Sequence, residues 1–208
     1  IKEKNIIADK QINHINIVDD YAYLSTGFGI IVFNLAKNEF TDSYIIGNGG
    51  SYINVNSTVI YNNYLYAFCS NKILKGDLNN PFLGNYQNWS QVTSDNSNNF
   101  TSSVVFNDKI VFVNELTPND SCHLLVFEND QIDTLTKDFK KIEHLSANDT
   151  KLLVTEELGT FIYNTNFELI EQYDLWRCYH AVYDDDNLWI ARVNGLLQYK
   201  NEAYVKHI

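Results

Sequence analysis

The sequence predicts an all-β fold, a β-propeller of about five four-stranded antiparallel blades. A strand pattern recurs five times at intervals of 43, 45, 42 and 36 residues, beginning YAYL at Tyr21, YLYA at Tyr64, KIVF at Lys109, KLLV at Lys151 and NLWI at Asn187. A second pattern follows each of these after 8 residues in four units and after 14 in the third. Units of this length with several short strands are typical of blades, because no such sheet buries both faces without a neighbour.

Each unit is predicted to open with a strand that lines a central channel, followed by an Asx-rich turn and the recurrent strand. The turns are Asp19–Asp20, Asn62–Asn63, Asn107–Asp108, Asp149–Thr150 and Asp185–Asp186, which is hairpin chemistry. The third strands begin at Gly29, Lys72, His123, Gly159 and Gly195. In the third unit the segment NELTPND, from Asn114, is predicted to form a longer turn.

The chain is therefore predicted to be a single domain of consecutive blades. Their approximate bounds are 12–52, 53–99, 100–141, 142–177 and 178–208. Residues 1–11 resemble the end of a preceding blade, and a chain without Met or a leader pattern is expected to be a mature piece or a fragment. We expect these blades to belong to a larger, seven-bladed ring, with apolar outer faces on the first and fifth sheets.

Composition excludes several classes of function. Apolar residues make up 45% of the chain and the net charge is −11, so a folded core is expected and nucleic acid is an unsuitable partner. The longest apolar runs have the length of a strand, so no transmembrane segment is predicted. Three cysteines in three different units, without CxxC spacing, are expected to be buried thiols.

No metal site or cofactor is predicted. The acidic run Asp184 to Asp186 falls where every other unit has a turn, which favours a turn over a calcium loop. The glycine-rich stretches TGFG and GNGG lack the Lys and the helix of a phosphate loop, so they are also interpreted as turns.

The sharpest binding hypothesis concerns the channel-lining strands. Aligning the units places polar side chains at one equivalent position, namely His14, Ser57, Ser102, His144 and His180. Such a ring could hold an anion when the imidazoles are protonated or a metal when they are neutral. The alternative is a solvated channel wall that simply prefers polar residues, and a register slip of one residue would turn these side chains away.

A second candidate surface is the loop Asn79 to Trp89. Its aromatic residues Phe82, Tyr86 and Trp89 could stack on a sugar or a partner, or could cover the edge of a blade. No catalytic residue is predicted, because the channel positions carry His and Ser where a glycosidase needs paired carboxylates, and no GxSxG elbow is present.

The segment from Ile12 to Gly47, continuing through SYINVNS and LNNPFLGNYQNW to Trp89, resembles the N-terminal propeller region of the PorZ family of Bacteroidetes. That family belongs to the type IX secretion machinery. The resemblance implies a cell-surface protein at the extracellular face of the outer membrane, with the protein components of a secretion and attachment complex as partners. It also implies binding of a surface glycolipid through domains outside this chain.

The predicted function is accordingly a non-enzymatic scaffold that docks to other components of that machinery. A different segment, LWIARVNGLLQYKN from Leu188, resembles the repeat of two-component regulator propellers. One alternative is therefore an extracytoplasmic sensor propeller of a hybrid two-component receptor that binds an oligosaccharide. A carbohydrate-active propeller enzyme is a further alternative.

Overall fold

The computed structural model describes residues 9–94, 98–116, 121–201 and 203–208. Its strands form five four-stranded antiparallel sheets, the blades of a β-propeller, as the repeat spacing predicts. In every sheet the four strands follow one another in chain order.

The strands of blades 1 and 2 are β1 (Ile12–Val18), β2 (Tyr21–Thr26), β3 (Gly29–Asn34), β4 (Glu39–Tyr44), β5 (Val55–Tyr61), β6 (Tyr64–Cys69), β7 (Lys72–Asp77) and β8 (Trp89–Ser94). Blade 3 contains β9 (Asn98–Phe106), β10 (Lys109–Leu116), β11 (Ser121–Glu128) and β12 (Gln131–Phe139). Blade 4 contains β13 (Ile142–Ala147), β14 (Leu152–Glu156), β15 (Gly159–Tyr163) and β16 (Leu169–Asp174). Blade 5 contains β17 (Cys178–Asp184), β18 (Asn187–Arg192), β19 (Gly195–Lys200) and β20 (Ala203–His207).

The chain divides into two compact units, residues 1–101 and 102–208. The first contains blades 1 and 2 with the beginning of β9, and the second contains the rest of blade 3 with blades 4 and 5. Two single-turn 3₁₀ helices, Asn48–Gly50 and Tyr86–Asn88, lie in loops of the first unit. Among the described residues, no helix has the length and hydropathy needed to cross a bilayer.

The hairpin between the recurrent strand and the third strand is present in all five blades, which confirms the pairing expected from the constant offset. In blades 2 and 3 its companion turn, between the first and second strands, has the expected chemistry. In blades 1 and 5 only the first residue of the turn pair, Asp19 or Asp185, has a positive φ, and in blade 4 neither residue does. Asn62 and Asn63 have φ of 49° and 63°, and Asn107 and Asp108 have φ of 49° and 54°. Two successive positive φ angles define the type I′ turn, whose twist matches that of the flanking strands.

Blade 3 differs from the prediction. Asn114 pairs with His123 and Leu116 pairs with Ser121, so the segment from Asn114 to Leu116 is strand and the prediction of a turn from Asn114 was wrong there. The additional residues lengthen β10 and β11 to eight residues each. Residues 117–120, the remainder of the predicted turn, lie outside the described residues.

Each unit has apolar cores between facing sheets. In the first unit Ile30 of β3 packs with Val55, Leu65 and Ala67 of blade 2. In the second unit one cluster joins blades 3 and 4, and another joins blades 4 and 5 around Ile162 and Ile190. Alternate residues of each strand therefore face a neighbouring blade, as a propeller requires.

The cysteines belong to these cores. Cys69, Cys122 and Cys178 are buried and free, which confirms the expectation of buried thiols. Burial raises the pKa of the Cys69 thiol to about 12. At neutral pH this sulfur is therefore an uncharged thiol with little nucleophilic character.

Candidate functional site

The first strand of a blade carries a β-bulge at one recurrent place. In blade 1, Ile12 pairs with Thr26 and His14 pairs with Ser25, so Asn13 is the extra residue. The same irregularity separates Val55 from Ser57, Ile142 from His144 and Cys178 from His180. A bulge re-aims the side chains that flank it. Four of the five channel candidates therefore share one structural position, immediately after the bulge.

Within each unit, the first strands of neighbouring blades lie against each other. β1 contacts β5 in the first unit, and β13 contacts β17 in the second. The contact between β13 and β17 brings His144 and His180 together. Their ring centroids are 3.8 Å apart, and the angle between the ring planes is 32°. His14 is half-buried on β1 and belongs to the first unit.

The two imidazoles of the second unit form a stacked pair. Burial lowers the pKa of His180, so the neutral ring is favoured at neutral pH. A neutral imidazole has one donor and one acceptor nitrogen, both in the plane of the ring. Protonation of both rings would place like charges about 4 Å apart, which opposes binding of a second proton.

The serine candidates are buried, and Ser102 has a structural partner. Its Oγ accepts a hydrogen bond of 3.2 Å from the backbone amide of Leu145, which joins blade 3 to blade 4. Ser57 has 1% of its surface exposed. The structure thus places the two imidazoles of the second unit side by side and gives Ser102 a role in holding blades together.

Sequence reasoning missed a chain of asparagines beside these positions. Asn13 donates from Nδ2 to Oδ1 of Asn54 at 2.9 Å, Asn54 donates to Asn56 at 2.6 Å, and Asn56 approaches Oδ1 of Asn99 at 3.4 Å. All four lie in the first unit, on or next to the first strands of three successive blades. The signal available in the sequence was the recurrence of Asn immediately before His14 and Ser57.

The two bulge asparagines also bind the backbone of the next blade. Asn13 Nδ2 donates to the carbonyl oxygen of Val55 at 2.8 Å, and Asn56 Nδ2 donates to the carbonyl oxygen of Phe100 at 2.7 Å. Val55 directly precedes the bulge residue of blade 2, and Phe100 has the aligned position in β9 of blade 3. The bulge side chain therefore connects one blade to the following one. We call these four asparagines, Asn13, Asn54, Asn56 and Asn99, the asparagine chain.

In the part of the chain that the structure describes, no group of three or more His, Cys, Asp or Glu side chains has the arrangement of a metal site. The acidic run is a turn, since Asp184 pairs with Asn187 and Asp185 has φ of 51°. The His144–His180 pair offers two nitrogen ligands, whereas a structural zinc site uses four.

The aromatic loop of blade 2, Asn79 to Trp89, contributes one of its three aromatic side chains to the core. Trp89 is 8% exposed, its Nε1 donates to the carbonyl oxygen of Leu83 at 2.8 Å, and its ring packs on Tyr44. Tyr86 is half-buried, whereas Phe82 has 72% of its surface exposed. The hypothesis of a stacking surface therefore rests on Phe82 and Tyr86.

Comparison with known proteins agrees with this architecture. Residues 1–90 match the family model described as the N-terminal β-propeller domain of PorZ. Over this segment the chain is similar to the N-terminal propeller of PorZ. No curated protein matches the sequence.

Two solved structures match nearly the whole chain as a fold. PorZ of Porphyromonas gingivalis matches with 16% identity and a TM-score of 0.76 over 95% of this chain. A chain of the nidogen/laminin complex matches with 12% identity and a TM-score of 0.72 over 95% of this chain and 80% of its own length. The present chain spans 26% of the PorZ chain.

A third match is a protein of unknown function from Bacteroides caccae. It has 11% identity and a TM-score of 0.59, and the match covers 88% of this chain and 70% of that protein. At these identities the structural matches establish the propeller fold of the chain.

Proposed function

We propose that this chain is a non-enzymatic docking scaffold of a type IX secretion and attachment complex at the cell surface. The observation that carries the proposal is the match of residues 1–90 to the PorZ N-terminal propeller family. The solved PorZ is described as an essential bacterial surface component of the type IX secretion system. The shared fold over 95% of this chain supports an equivalent place for it.

The absence of catalysis is part of the proposal and rests on the chemistry of the channel positions. A glycosidase holds two carboxyl groups roughly 5 to 10 Å apart across the bond to be cleaved. The equivalent positions after the bulges carry imidazoles and a buried hydroxyl in blades 1, 2, 4 and 5. Ser102 uses its hydroxyl to accept from Leu145.

Exposed apolar side chains supply the surface that a scaffold needs. In blade 1, Ile15, Ile17 and Phe40 are 52%, 61% and 68% exposed. In blade 5, Val182 and Val205 are 43% and 50% exposed. Exposed apolar side chains on these blades are available for contact with further blades or with a partner.

The proposal is tested in the bacterium that encodes the protein. A strain that expresses the natural protein with an epitope tag is treated with protease on intact cells, and the tagged protein is purified after mild crosslinking. Digestion on intact cells and co-purification of secretion components are expected. Deletion of the gene should reduce surface attachment of secreted cargo.

Two results would contradict the proposal. One is a protein protected from protease in intact cells, together with unchanged secretion in the deletion strain. The other is hydrolysis of an oligosaccharide panel by the purified chain, which would favour the carbohydrate-active alternative. Co-purification with a membrane-bound histidine kinase in place of secretion components would favour the sensor.

A further inference from the structure

A polar cavity of about 460 Å³ lies between blades 4 and 5, within the second unit. It opens at the end of these blades where the β13–β14, β17–β18 and β19–β20 turns lie. Its size falls within the range of cavities that bind small ligands or single side chains. None of the candidate positions predicted from the sequence contributes to its walls.

One wall is a neutralised ion pair. Lys151 Nζ lies 2.7 Å from Glu171 Oε1 and 2.9 Å from the hydroxyl of Tyr183. The other carboxylate oxygen of Glu171 accepts from the Tyr173 hydroxyl at 3.1 Å. Lys151 and Glu171 side chains are 28% and 15% exposed, so the pair is held mainly out of water. Because both charges are satisfied within the wall, neither is available to a ligand without breaking this arrangement.

The remaining charge of the cavity is negative. Asp185 and Asp186, both exposed, line the rim in the β17–β18 turn. Among the lining residues, Lys151 carries one positive charge. Glu171, Asp185 and Asp186 together carry three negative charges. The net charge of the whole chain, −11, adds a field of the same sign. Anionic ligands are therefore repelled, and cations are attracted.

Aromatic rings complete the walls. Tyr173 and Tyr199 lie with their centroids 4.7 Å apart at an angle of 57°, and Tyr183 faces the same space. The ammonium of Lys151 already lies 4.6 Å from the centroid of the Tyr183 ring. Carboxylates beside tyrosine rings are the combination that binds ammonium and guanidinium groups, through ion pairing and cation–π attraction.

We propose that this cavity binds the cationic side chain, arginine or lysine, of a basic peptide segment. The proposal deepens the docking function above, on which the identification of the occupant as part of a protein partner rests. The rim carboxylates of Asp185 and Asp186 attract the cation, and the tyrosine rings contact its planar or methylene surface. The Lys151–Glu171 pair of blade 4 bonds to Tyr183 of blade 5 and so holds this wall together across the two blades.

The test measures binding of the peptide acetyl-Gly-Arg-Gly-amide to the purified chain by NMR titration. Its matched control is the same peptide with citrulline, which keeps the shape and removes the charge; maltose serves as a neutral sugar probe. Saturable binding of the arginine peptide is expected, with the citrulline peptide about tenfold weaker because the charge-assisted hydrogen bonds are lost.

Two double variants locate the site. D185N/D186N removes the rim charges and is expected to weaken arginine binding roughly five- to tenfold. The control D19N/D20N makes the same change in the equivalent turn of blade 1, where φ of Asp19 is 52° and that of Asp185 is 51°. This control should change the affinity for the arginine peptide by less than about twofold. Asn tolerates positive φ, so both turns are expected to persist.

Several outcomes would overturn the inference. These are no saturable binding of the arginine peptide up to the millimolar range, equal affinities for the arginine and citrulline peptides, tighter binding of maltose, or an equal loss in D19N/D20N. Because the assay uses a defined peptide and the isolated chain, its failure leaves the secretion-complex proposal standing. Conversely, failure to co-purify secretion components does not affect the peptide result.

Discussion

Replacing Asn56 tests whether the bulge asparagines hold blades together. Asn56 is half-buried, and its Nδ2 donates to the carbonyl oxygen of Phe100 in the next blade at 2.7 Å. Its Oδ1 accepts from Asn54 at 2.6 Å. In N56A both contacts disappear, and the carbonyl of Phe100 loses this donor. In N56D the acceptor is kept, but a carboxylate oxygen replaces the donor facing that carbonyl.

The expected cost follows from these contacts. A hydrogen bond contributes about 0.5–1.5 kcal/mol net to the free energy of unfolding. Leaving a part-buried carbonyl without its donor costs an amount near the upper end of this range. We therefore expect N56A to lower the free energy of unfolding by about 1.5–2 kcal/mol, since the more exposed contact with Asn54 is largely replaced by water. For a chain of this size that corresponds to a fall of about 3–8 °C in Tm. N56D should cost more, about 2–3 kcal/mol, because two oxygens are brought together.

The assay is urea unfolding followed by tryptophan fluorescence, with Tm from calorimetry. Asn166→Ala, at an exposed turn position of blade 4, is the matched control and should change stability by less than about 0.5 kcal/mol. The expected order of destabilisation is N56D, then N56A, then N166A. If N56A is no less stable than N166A, or if N56D is the more stable of the two Asn56 variants, the inter-blade role of this side chain is refuted.

Three further changes have expected outcomes. Gly76→Ala would place a Cβ 2.6 Å from Leu83 Cδ1 and 3.0 Å from the Trp89 ring, so we expect a loss of about 1–3 kcal/mol in urea unfolding; an unchanged midpoint would show that the loop gives way freely. Burial lowers the pKa of His180, so its contribution to stability is complete above the ordinary pKa of 6.5 and is lost as the pH falls below it; acidification from about pH 7.5 to 5.5 should therefore lower Tm more in the natural chain than in H180N, and equal slopes would contradict this. Because burial raises the pKa of Cys69, its modification by a thiol reagent should be much slower in the folded chain than in urea, and comparable rates would show that this thiol is accessible.

Local patterns predicted most of the fold. Paired Asn and Asp residues favour tight hairpins through local backbone preference, and Asn62–Asn63 and Asn107–Asp108 adopt two successive positive φ angles. Strand alternation and constant spacing then determine which strands pair. Blade 3 was the exception. Its inserted residues extend two paired strands, as the pairing of Asn114 with His123 shows, instead of forming a longer loop. The sequence alone does not distinguish these two outcomes.

The site was less predictable because its contacts join different blades. Alignment placed His144 and His180 at one position, but their stacking depends on how closely β13 and β17 approach. The position of the loop aromatics was also non-local, since Trp89 packs against Tyr44 of blade 1. The Lys151–Glu171–Tyr183 cluster combines residues from three separate strands or turns, and no motif connects them.

The hydrogen bonds of the bulge asparagines run in one direction along the chain and end on main-chain acceptors. The two bulge asparagines donate forward, from one blade to the next, and each is received by a main-chain carbonyl, that of Val55 or of Phe100. Every residue type has a main-chain carbonyl, so these hydrogen bonds do not depend on the side chain of the acceptor residue. The side chains of Val55 and Phe100 can therefore be replaced without removing the acceptor of either hydrogen bond.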